Sequence, residues 1–302
     1  MKPTKFNIIG IGEILWDIYE HEKYLGGAPA NFAFHCQQLG DKGIIVSRVG
    51  NDELGSEISN SLQQRGLEAK YIQHDLDKPT GSVKVTLDEN GKPKFDCTTD
   101  VAFDYLAMNA ELGLLAQNAD AVLFGTLAQR NKETRATIHQ FLKQAKNAFK
   151  IYDINLRGWD DQTGEIVTQS LTLANAIKLN DEELDTLRNA WNPGNDDITF
   201  LQYLIEEFQL KLAALTLGEN GCILVKPGEV IEQGGIKIKP IDTTGCGDAF
   251  AAAMVNYYLR QKSLDKIASL SNQLGAYVAL FPGATPAYSF AELSHFFSEL
   301  QT

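Results

Sequence analysis

The chain has 302 residues, of which 44% are hydrophobic and 22% are charged, as in an ordinary globular protein. Its net charge of −12 disfavours a nucleic-acid surface, because no basic stripe offsets the acidic excess. No apolar run reaches the ~18 residues that a membrane-spanning helix needs, and the first residues lack the layout of a signal peptide. We therefore expect a cytoplasmic protein with neither a nucleic acid nor a membrane as its partner.

Short β-branched runs alternate with helical stretches along most of the chain. The sequence predicts buried strands at 6–11, 43–47, 121–124, 150–153, 176–179 and 212–216. It predicts helices at 30–39, 52–65, 132–147, 163–174, 181–190 and 196–208, and further helical stretches at 263–281 and 290–300. This alternation favours a single α/β domain over residues 1–302, with a mostly parallel sheet covered by helices on both faces.

Two segments break this pattern. Residues 14–19 and 82–87 alternate between polar and apolar with a period of two, which does not suit the interior of a parallel sheet. Asn90-Gly91 follows the second segment and is typical of a tight hairpin turn. We predict a small β lid that could keep water from a reactive group, although a surface hairpin or a dimer contact would show the same pattern. The predicted lid segments are about 13–25 and 72–103.

Two common nucleotide-binding motifs are missing. Gly10 and Gly12 follow the first strand, but the third glycine of the dinucleotide fingerprint is absent and residues 14–19 continue as strand. The P-loop pattern G-x-x-x-x-G-K-[ST] does not occur either. If a nucleotide binds, another scaffold must hold its phosphates.

A glycine-rich turn at Gly26 and Gly27 leads into the first predicted helix. Glycines allow close approach of a ligand, and Asn31 offers a donor and acceptors to a polyol. The alternative is an ordinary turn with Pro29 near the helix start. Asp17, on the predicted lid, either accepts hydrogen bonds from two sugar hydroxyls or is a solvated strand residue.

Two further motifs follow predicted strands. Asn180 and Glu183 have the spacing of a capping box, and they could also hold a hydrated magnesium ion and phosphate oxygens, so both interpretations can be true. The segment Thr216 to Gly221 either presents amides to nucleotide phosphates or forms a plain Asn-Gly hairpin turn.

The segment Asp242 to Met254 is the most informative, since its two glycines and a carboxylate lie where a loop enters an apolar helix. Unpaired amides and a partial positive charge at a helix start attract anions, and Gly245 and Gly247 would let an oxyanion come close. Asp248 could then accept the proton of an attacking hydroxyl, as phosphoryl transfer to an alcohol requires. We expect Asp248 to be acidic at this helix end and thus a weak base. The alternative is a simple capped helix start.

The four cysteines, Cys36, Cys97, Cys222 and Cys246, lie far apart without the paired spacing of a metal site, so reduced thiols are expected. Cys246 is either reactive, because a helix N-terminus lowers a thiol's pKa, or simply a small residue that fits. The five histidines form no ligand cluster.

Together these motifs resemble the PfkB (ribokinase-like) family of carbohydrate kinases over nearly the whole chain. Asp242 to Met254 is similar to the family's C-terminal signature, and Gly26 to Ala33 to its N-terminal sugar-site motif. Segments 153–157, 178–183 and 216–221 follow in family order, while 26–31, 124–127 and 283–287 are most similar to bacterial fructokinases. The resemblance implies a ribokinase-like three-layer α/β/α sandwich and ATP-dependent phosphorylation of a sugar's primary hydroxyl, converting D-fructose to fructose 6-phosphate.

The resemblance also implies a role for each matching residue. Asp248 would be the base, and Gly245, Cys246 and Gly247 would form the anion hole. The sugar would be held by Asp17, Gly26, Gly27 and Asn31, with Arg157 near the sugar–phosphate junction. ATP would contact Asn180, Glu183, Thr216, Gly218, Gly221, Gly245, Gly247 and Asn272. Asn180 and Glu183 would organise Mg²⁺ through water, and the backbone of Asp242, Thr244, Ala279 and Gly283 would surround K⁺.

The partners implied are ATP, a small sugar and a second copy of the chain in a homodimer. Two departures from the family pattern stand out: Ile154 replaces a usual proline, and the segment 95–100 lacks an arginine often found there in fructokinases. The sugar is therefore less firmly indicated than the kinase reaction. The alternatives are a kinase for 2-keto-3-deoxygluconate, ribose or a nucleoside, and a noncatalytic sugar-binding relative.

Overall fold

The computed structural model describes residues 5–87, 93–191, 194 and 196–299. Its larger sheet runs through nine strands in the order β13-β12-β11-β10-β9-β8-β1-β4-β5. The strands from β11 to β5 in that order pair in parallel, whereas β12 and β13 add an antiparallel edge. The nine strands are β1 (Asn7–Ile11), β4 (Lys42–Gly50), β5 (Ile72–Asp75), β8 (Ala121–Gly125), β9 (Phe149–Asp153), β10 (Ala176–Asn180), β11 (Leu212–Thr216), β12 (Gly221–Lys226) and β13 (Glu229–Gly234).

Helices cover both faces of this sheet, which makes three layers. The helices are α1 (Ala28–Gln38), α2 (Glu53–Gln64), α3 (Ala110–Gln117), α4 (Lys132–Gln144), α5 (Asp161–Leu173), α6 (Asp181–Trp191), α7 (Asp197–Phe208), α8 (Cys246–Leu259), α9 (Leu264–Val278) and α10 (Phe290–Glu299). Helices α3 to α7 pack on one face, and α1, α8 and α9 pack on the other. The central strands are buried on both faces, which explains why their sequences are continuous apolar runs.

A second sheet of four strands, in the order β3-β2-β6-β7, lies beside the main one and is called the lid here. Its strands are β2 (Leu15–Ile18), β3 (Lys23–Gly26), β6 (Ser82–Leu87) and β7 (Pro93–Cys97). Leu15 and Val83 of the lid pack with Val101 and Phe103 in a small apolar cluster. The lid therefore has an apolar anchor of its own.

The predicted lid segment 72–103 differs from the structure at both of its ends. Residues 72–75 pair in parallel with β4 and belong to the main sheet, because Ile72 packs into the core beside α2. At the other end, residues 102–105 form a 3-10 helix rather than a strand. The predicted Asn90-Gly91 turn lies outside the described residues.

The predicted three-layer α/β fold is confirmed, and each of the six predicted core strands is present. Helix α3 and the hairpin formed by β12 and β13 were not predicted, nor were the short 3-10 helices at 102–105, 127–130 and 218–220. Among the described residues, no helix is both long and apolar enough to cross a bilayer. The parallel strands end at one edge of the sheet, and the loops after β1, β9, β10 and β11 all line cavities there.

Candidate active site

Two cavities adjoin at the carboxyl edge of the main sheet. The lid cavity, of about 680 Å³, is lined by Asp17 of the lid together with Asn31 and Asp248. The second cavity, of about 750 Å³, is called the hairpin cavity because Gly221 of the β12–β13 hairpin lines it. Thr216 and Asn272 line it as well. Both cavities share three lining residues: Lys178, Thr243 and Gly247. A group bound at this junction would be in reach of ligands on both sides.

The start of helix α8 presents unpaired amides at the junction. Gly245 precedes the helix with φ of 78°, and the N–H groups of Gly245, Gly247 and Asp248 donate to no acceptor in the described part of the chain. The N–H of Cys246 donates to the carbonyl of Thr243 at 3.3 Å. Three bare N–H donors at a helix N-terminus are an arrangement that suits an anion, and anion binding by this turn stays a prediction.

The two glycines of this turn have close neighbours. A Cβ on Gly245 would lie 2.6 Å from the backbone of Ala284, in addition to the strain of a positive φ. A Cβ on Gly247 would lie 2.7 Å from Nζ of Lys178, the end of a side chain that can shift. Glycine is therefore required at position 245, where the neighbour is backbone.

Asp248 faces the lid cavity from the first turn of α8. Its Oδ2 accepts a hydrogen bond of 2.8 Å from Nδ2 of Asn31. Burial, and then the negative charge of Asp153, raise the pKa of Asp248 to about 7, although Lys178 and Asn31 lower it. The prediction of an acidic Asp248 is thus wrong: desolvation outweighs the helix end. A carboxyl with a pKa near 7 is a suitable general base at neutral pH.

A buried ion pair beside Asp248 was missed by the sequence analysis. Nζ of Lys178 lies 3.1 Å from Oδ1 and 3.2 Å from Oδ2 of Asp153. Burial lowers the pKa of Lys178, but the carboxylates of Asp153, Glu183 and Asp248 raise it by more. A lysine inside an apolar strand, as in Ala176–Asn180, is the sequence feature that could have drawn attention to it.

Glu13 is a second residue that the sequence analysis did not single out. It lines the lid cavity and is 2% exposed, and its Oε2 has no hydrogen-bond partner among the described residues. The same is true of Oδ1 of Asn31. Burial raises the pKa of Glu13 to about 7. Two enclosed oxygens without protein partners in a cavity are acceptors that the hydroxyl groups of a ligand, or water, could satisfy.

The other predicted sugar residues surround the same cavity. Asp17, Gly27 and Arg157 line it, and burial raises the pKa of Asp17 to about 6. Gly26 lies just behind, where a Cβ would come within 2.3 Å of Oδ2 of Asp17. Arg157 is held by its Nη1, which donates to Oδ1 of Asn155 at 2.9 Å. The structure thus brings all the predicted sugar residues together.

The predicted ATP residues converge on the hairpin cavity with two exceptions: Glu183, and Gly245, which lines the lid cavity instead. The residues that line it are Asn180, Thr216, Gly218, Gly221, Gly247 and Asn272. Asn272 also donates from Nδ2 to the carbonyl of Gly234 at 3.0 Å. Glu183 does not line this cavity but a smaller one of about 310 Å³ next to it.

Glu183 and Asn180 form the capping box that their spacing predicts. Oδ1 of Asn180 accepts from the N–H of Glu183 at 2.8 Å, and Oε2 of Glu183 accepts from the N–H of Asn180 at 2.9 Å. Oε1 of Glu183 accepts from the N–H of Leu156 at 3.0 Å. Burial raises the pKa of Glu183. The carboxylate is thus tied to the backbone, and any magnesium that it organises would be reached through water, as the sequence predicts.

The predicted monovalent-cation residues also come together. The carboxylate of Asp242 accepts from the N–H groups of Thr244 at 2.9 Å and Gly283 at 2.8 Å. The carbonyls of Asp242, Thr244 and Gly283 accept no hydrogen bond from any described residue, whereas that of Ala279 accepts from the N–H groups of Ile241 and Asp242. Free carbonyl oxygens are the ligands that potassium uses in proteins, so the segment fits such an ion.

Cys246 is not a reactive thiol. Burial, and then the charges of Asp242 and Asp248, raise its pKa to about 12, against the lowering that a helix end would give. Its place at the start of α8, lining the hairpin cavity, is that of a small residue that fits. Within the described residues no cluster of His, Cys, Asp and Glu could hold a metal ion directly.

Bare amides between two cavities, with a carboxyl of pKa about 7 beside them, define a phosphotransferase that works on two ligands bound side by side. The family model of the pfkB family carbohydrate kinases matches residues 13–289. The chain therefore belongs to the PfkB family and is an ATP-dependent carbohydrate kinase.

Known relatives cover most of the chain. An uncharacterized sugar kinase of Pyrococcus horikoshii is 31% identical over 89% of this chain and 88% of its own length. Its crystal structure matches with a TM-score of 0.82 over 98% of this chain and 100% of that one, and it has also been solved with ATP. Fructokinase-2 of Solanum lycopersicum is 30% identical over 87% of this chain and 83% of its own. An ATP-dependent 6-phosphofructokinase of Thermoanaerobacterium thermosaccharolyticum is 29% identical over 93% and 90%.

Proposed function

We propose that this enzyme transfers the γ-phosphoryl group of ATP to the primary hydroxyl of D-fructose, giving fructose 6-phosphate. The observation that carries the proposal is the junction of the two cavities at bare amides, directly beside Asp248. Fructose would occupy the lid cavity and ATP the hairpin cavity. The resemblance to bacterial fructokinases and the tomato fructokinase at 30% identity support this choice of sugar.

The chain's own residues would perform the transfer as follows. Asp248 orients the primary hydroxyl and accepts its proton as the new oxygen–phosphorus bond forms, and the β,γ-bridging bond breaks with its electron pair on ADP. The amides of Gly245, Gly247 and Asp248 stabilise the negative charge of the phosphoryl group. Asn31 holds Asp248 in place through its hydrogen bond of 2.8 Å. The lid excludes water, which would otherwise accept the phosphoryl group.

The charges of the lid cavity favour a neutral sugar. Two cations line it, Lys178 and Arg157, and Lys178 is already paired with Asp153. The acidic residues that line it are Glu13, Asp17, Glu22, Asp242 and Asp248. In this cavity burial already disfavours the charged forms of Glu13, Asp17 and Asp248 and raises the pKa of each. A sugar acid such as 2-keto-3-deoxygluconate, or a sugar phosphate such as fructose 6-phosphate, would bring a negative charge into the same surroundings. These charges therefore support fructose over both anionic substrates.

Two metal ions would assist. Mg²⁺ would be held mainly by the phosphates of ATP and by water near Asn180 and Glu183, where it would neutralise phosphate charge. K⁺ would bind the free carbonyls of Asp242, Thr244 and Gly283 beside the anion hole. The residues present suit both ions. Mg²⁺ needs few protein ligands, and K⁺ needs carbonyl oxygens.

A coupled assay of ADP release over a panel of acceptors tests the proposal. We expect turnover with fructose to exceed that with ribose, adenosine, 2-keto-3-deoxygluconate and fructose 6-phosphate by at least ~10-fold in kcat/KM. Preference for either anionic acceptor would contradict the charge argument. No turnover with any member of the panel would overturn the proposed substrate.

The substitution Asp248→Ala tests the base. Because Asp248 acts on the reacting hydroxyl, kcat should fall by roughly 10²–10⁴, while fructose affinity measured by calorimetry changes little. Turnover within a few-fold of the wild type would remove Asp248 from this role.

A further inference from the structure

Lys178 and Asp153 lie opposite each other in the register of two neighbouring parallel strands, β10 and β9. Both side chains are buried, with Asp153 1% exposed and Lys178 8% exposed. Removing two charges from water is costly, and well-packed apolar residues would stabilise the strands at least as well. The pair therefore calls for an explanation other than stability.

The ammonium group of Lys178 extends to the junction of the two cavities. It lines both of them, and its Nζ is the heavy atom that a Cβ on Gly247 would meet first, at 2.7 Å. Gly247 is a glycine of the anion-binding turn, so the ammonium lies directly beside the bare amides. This position is where a phosphoryl group would pass from one cavity to the other.

Lys178 also has a donor to spare. An ammonium group carries three N–H donors, and its acceptors within the described residues are the two carboxylate oxygens of Asp153. At least one N–H therefore remains for a ligand at the junction. Asp153, on the neighbouring strand β9, accepts both of these hydrogen bonds and thereby fixes the position of the ammonium group.

We propose that Lys178 is a catalytic residue that binds the phosphoryl group during its transfer, and that Asp153 is its positioning partner. The inference rests on the proposed phosphoryl transfer and adds a cation to the amides at the start of α8. Lys178 keeps its proton throughout. The oxygen–phosphorus bond forms to the acceptor hydroxyl, the β,γ-bridging bond breaks to give ADP, and the hydroxyl proton goes to Asp248.

Three variants separate a catalytic lysine from a structural ion pair. Lys178→Met removes the ammonium, and the double variant Lys178→Met with Asp153→Asn removes both charges, so that no unpaired carboxylate stays buried. Lys211→Met is the matched control, because Lys211 is exposed and directly precedes β11. If the pair only stabilised the fold, the double variant would recover the activity that Lys178→Met loses.

We expect both Lys178 variants to lose roughly 10²–10³ in kcat, with KM for the sugar and for ATP within a few-fold of the wild type. The control should keep wild-type kcat. Recovery of the double variant to within ~5-fold of the wild type would overturn the proposal, since the lysine would then act only as the partner of Asp153.

A binding measurement gives a readout that does not require turnover. Aluminium fluoride with ADP and Mg²⁺ imitates the phosphoryl group in transit, and calorimetry measures its binding. We expect the double variant to bind ADP and Mg²⁺ as the wild type does, but to lose at least ~10² in affinity when aluminium fluoride is added. Equal affinity in both proteins would overturn the role of Lys178. If the wild type phosphorylates no sugar, the proposed sugar substrate is wrong. The comparison of aluminium fluoride affinities still tests the role of Lys178 in that case.

Discussion

Burial sets the chemistry of three carboxyls in the lid cavity. It raises the pKa of Glu13 to about 7, that of Asp17 to about 6 and that of Asp248 to about 7. A carboxyl with such a pKa can both donate and accept a hydrogen bond near neutral pH. These carboxyls can thus pair with sugar hydroxyls that donate a hydrogen bond and with hydroxyls that accept one. The pKa of the base, Asp248, lies near the working pH.

The raised pKa of Asp248 predicts a dependence of kcat/KM on pH, because kcat/KM reports ionisation before the sugar binds. Asp248 must be ionised to accept the hydroxyl proton, so kcat/KM for the sugar should fall as the pH drops through about 7. The groups that face it are Asn31, Glu13, Asp153 and Lys178. A profile of kcat/KM for the sugar from pH 5 to 9 checks this. A profile that stays flat down to pH 5 would show that Asp248 keeps its ordinary pKa.

Glu13 predicts a dependence of stability on pH. Its pKa rises from 4.5 to about 7 on folding, so the native state holds this proton more tightly. That contribution is fully present below pH 4.5 and is lost as the pH rises through 7, in total about 3 kcal/mol. Glu13→Gln does not titrate, so its stability relative to the wild type should increase by about that amount between pH 4.5 and 8.

Urea denaturation at the two pH values measures the effect of Glu13→Gln, with the exposed Glu207→Gln as a control that should show no such change. The same variant should raise KM for the sugar by roughly 10-fold or more, because the enclosed Oε2 loses its role as an acceptor. A stability difference that does not vary with pH would contradict the buried titration.

At the level of elements, the start of α8 depends on its contact with the loop around Ala284. Gly245 lies in close contact with Ala284. The carbonyl oxygen of Ala284 forms a hydrogen bond of 2.9 Å with Nε2 of His35 in α1. Burial lowers the pKa of His35 to about 4, so the ring is neutral at working pH and Nε2–H donates. Helix α1, this loop and helix α8 thus form one support for the anion-binding amides.

Gly245→Ala should therefore damage both stability and catalysis. Gly228 has the same φ of 78° but open space around it, so Gly228→Ala carries only the backbone strain, about 1 kcal/mol. Gly245→Ala carries that strain and the clash with Ala284, for which we expect an additional 1–3 kcal/mol, roughly, and a loss of ~10² in kcat. Urea denaturation and steady-state kinetics of both variants check this. Equal effects of the two substitutions would contradict the close contact.

At the level of the whole molecule, the two cavities differ in what builds them. The lid cavity combines the lid, through Asp17 and Val83, with the main domain, whereas the hairpin cavity is lined by the main domain alone. Sugar binding must therefore connect the two sheets, and nucleotide binding need not. The homodimer stays a prediction, which sedimentation at several concentrations would test.

Hydrogen exchange should show this difference between the ligands. Fructose should slow amide exchange in β2, β3 and β6 of the lid, because it bridges the lid and α8, while ADP with Mg²⁺ should protect the 236–240 segment of the hairpin cavity instead. Peptides from α4, which lines neither cavity, are the control. Equal protection of the lid by ADP alone would contradict the assignment of the cavities.

The sequence was most informative where a pattern is local. Apolar runs predict the six core strands, since a strand buried on both faces cannot alternate, and Gly245 and Gly247 predict the turn at the start of α8. The segment 72–75 was misplaced, because a four-residue edge strand resembles a lid strand in its pattern. The local sequence of such a strand does not indicate which of the two sheets it joins.

By itself the sequence determined the α/β class, the six core strands in their order, the glycine turn at the start of α8 and the capping box of Asn180 and Glu183. Each of these depends on residues close together along the chain. Only the tertiary structure decided that Glu13 and Asp248 have pKa values near 7, that Cys246 is not reactive, and that Lys178 lies beside Gly247. Desolvation and charge pairing act between atoms that the fold brings together from distant positions, so no local pattern records them.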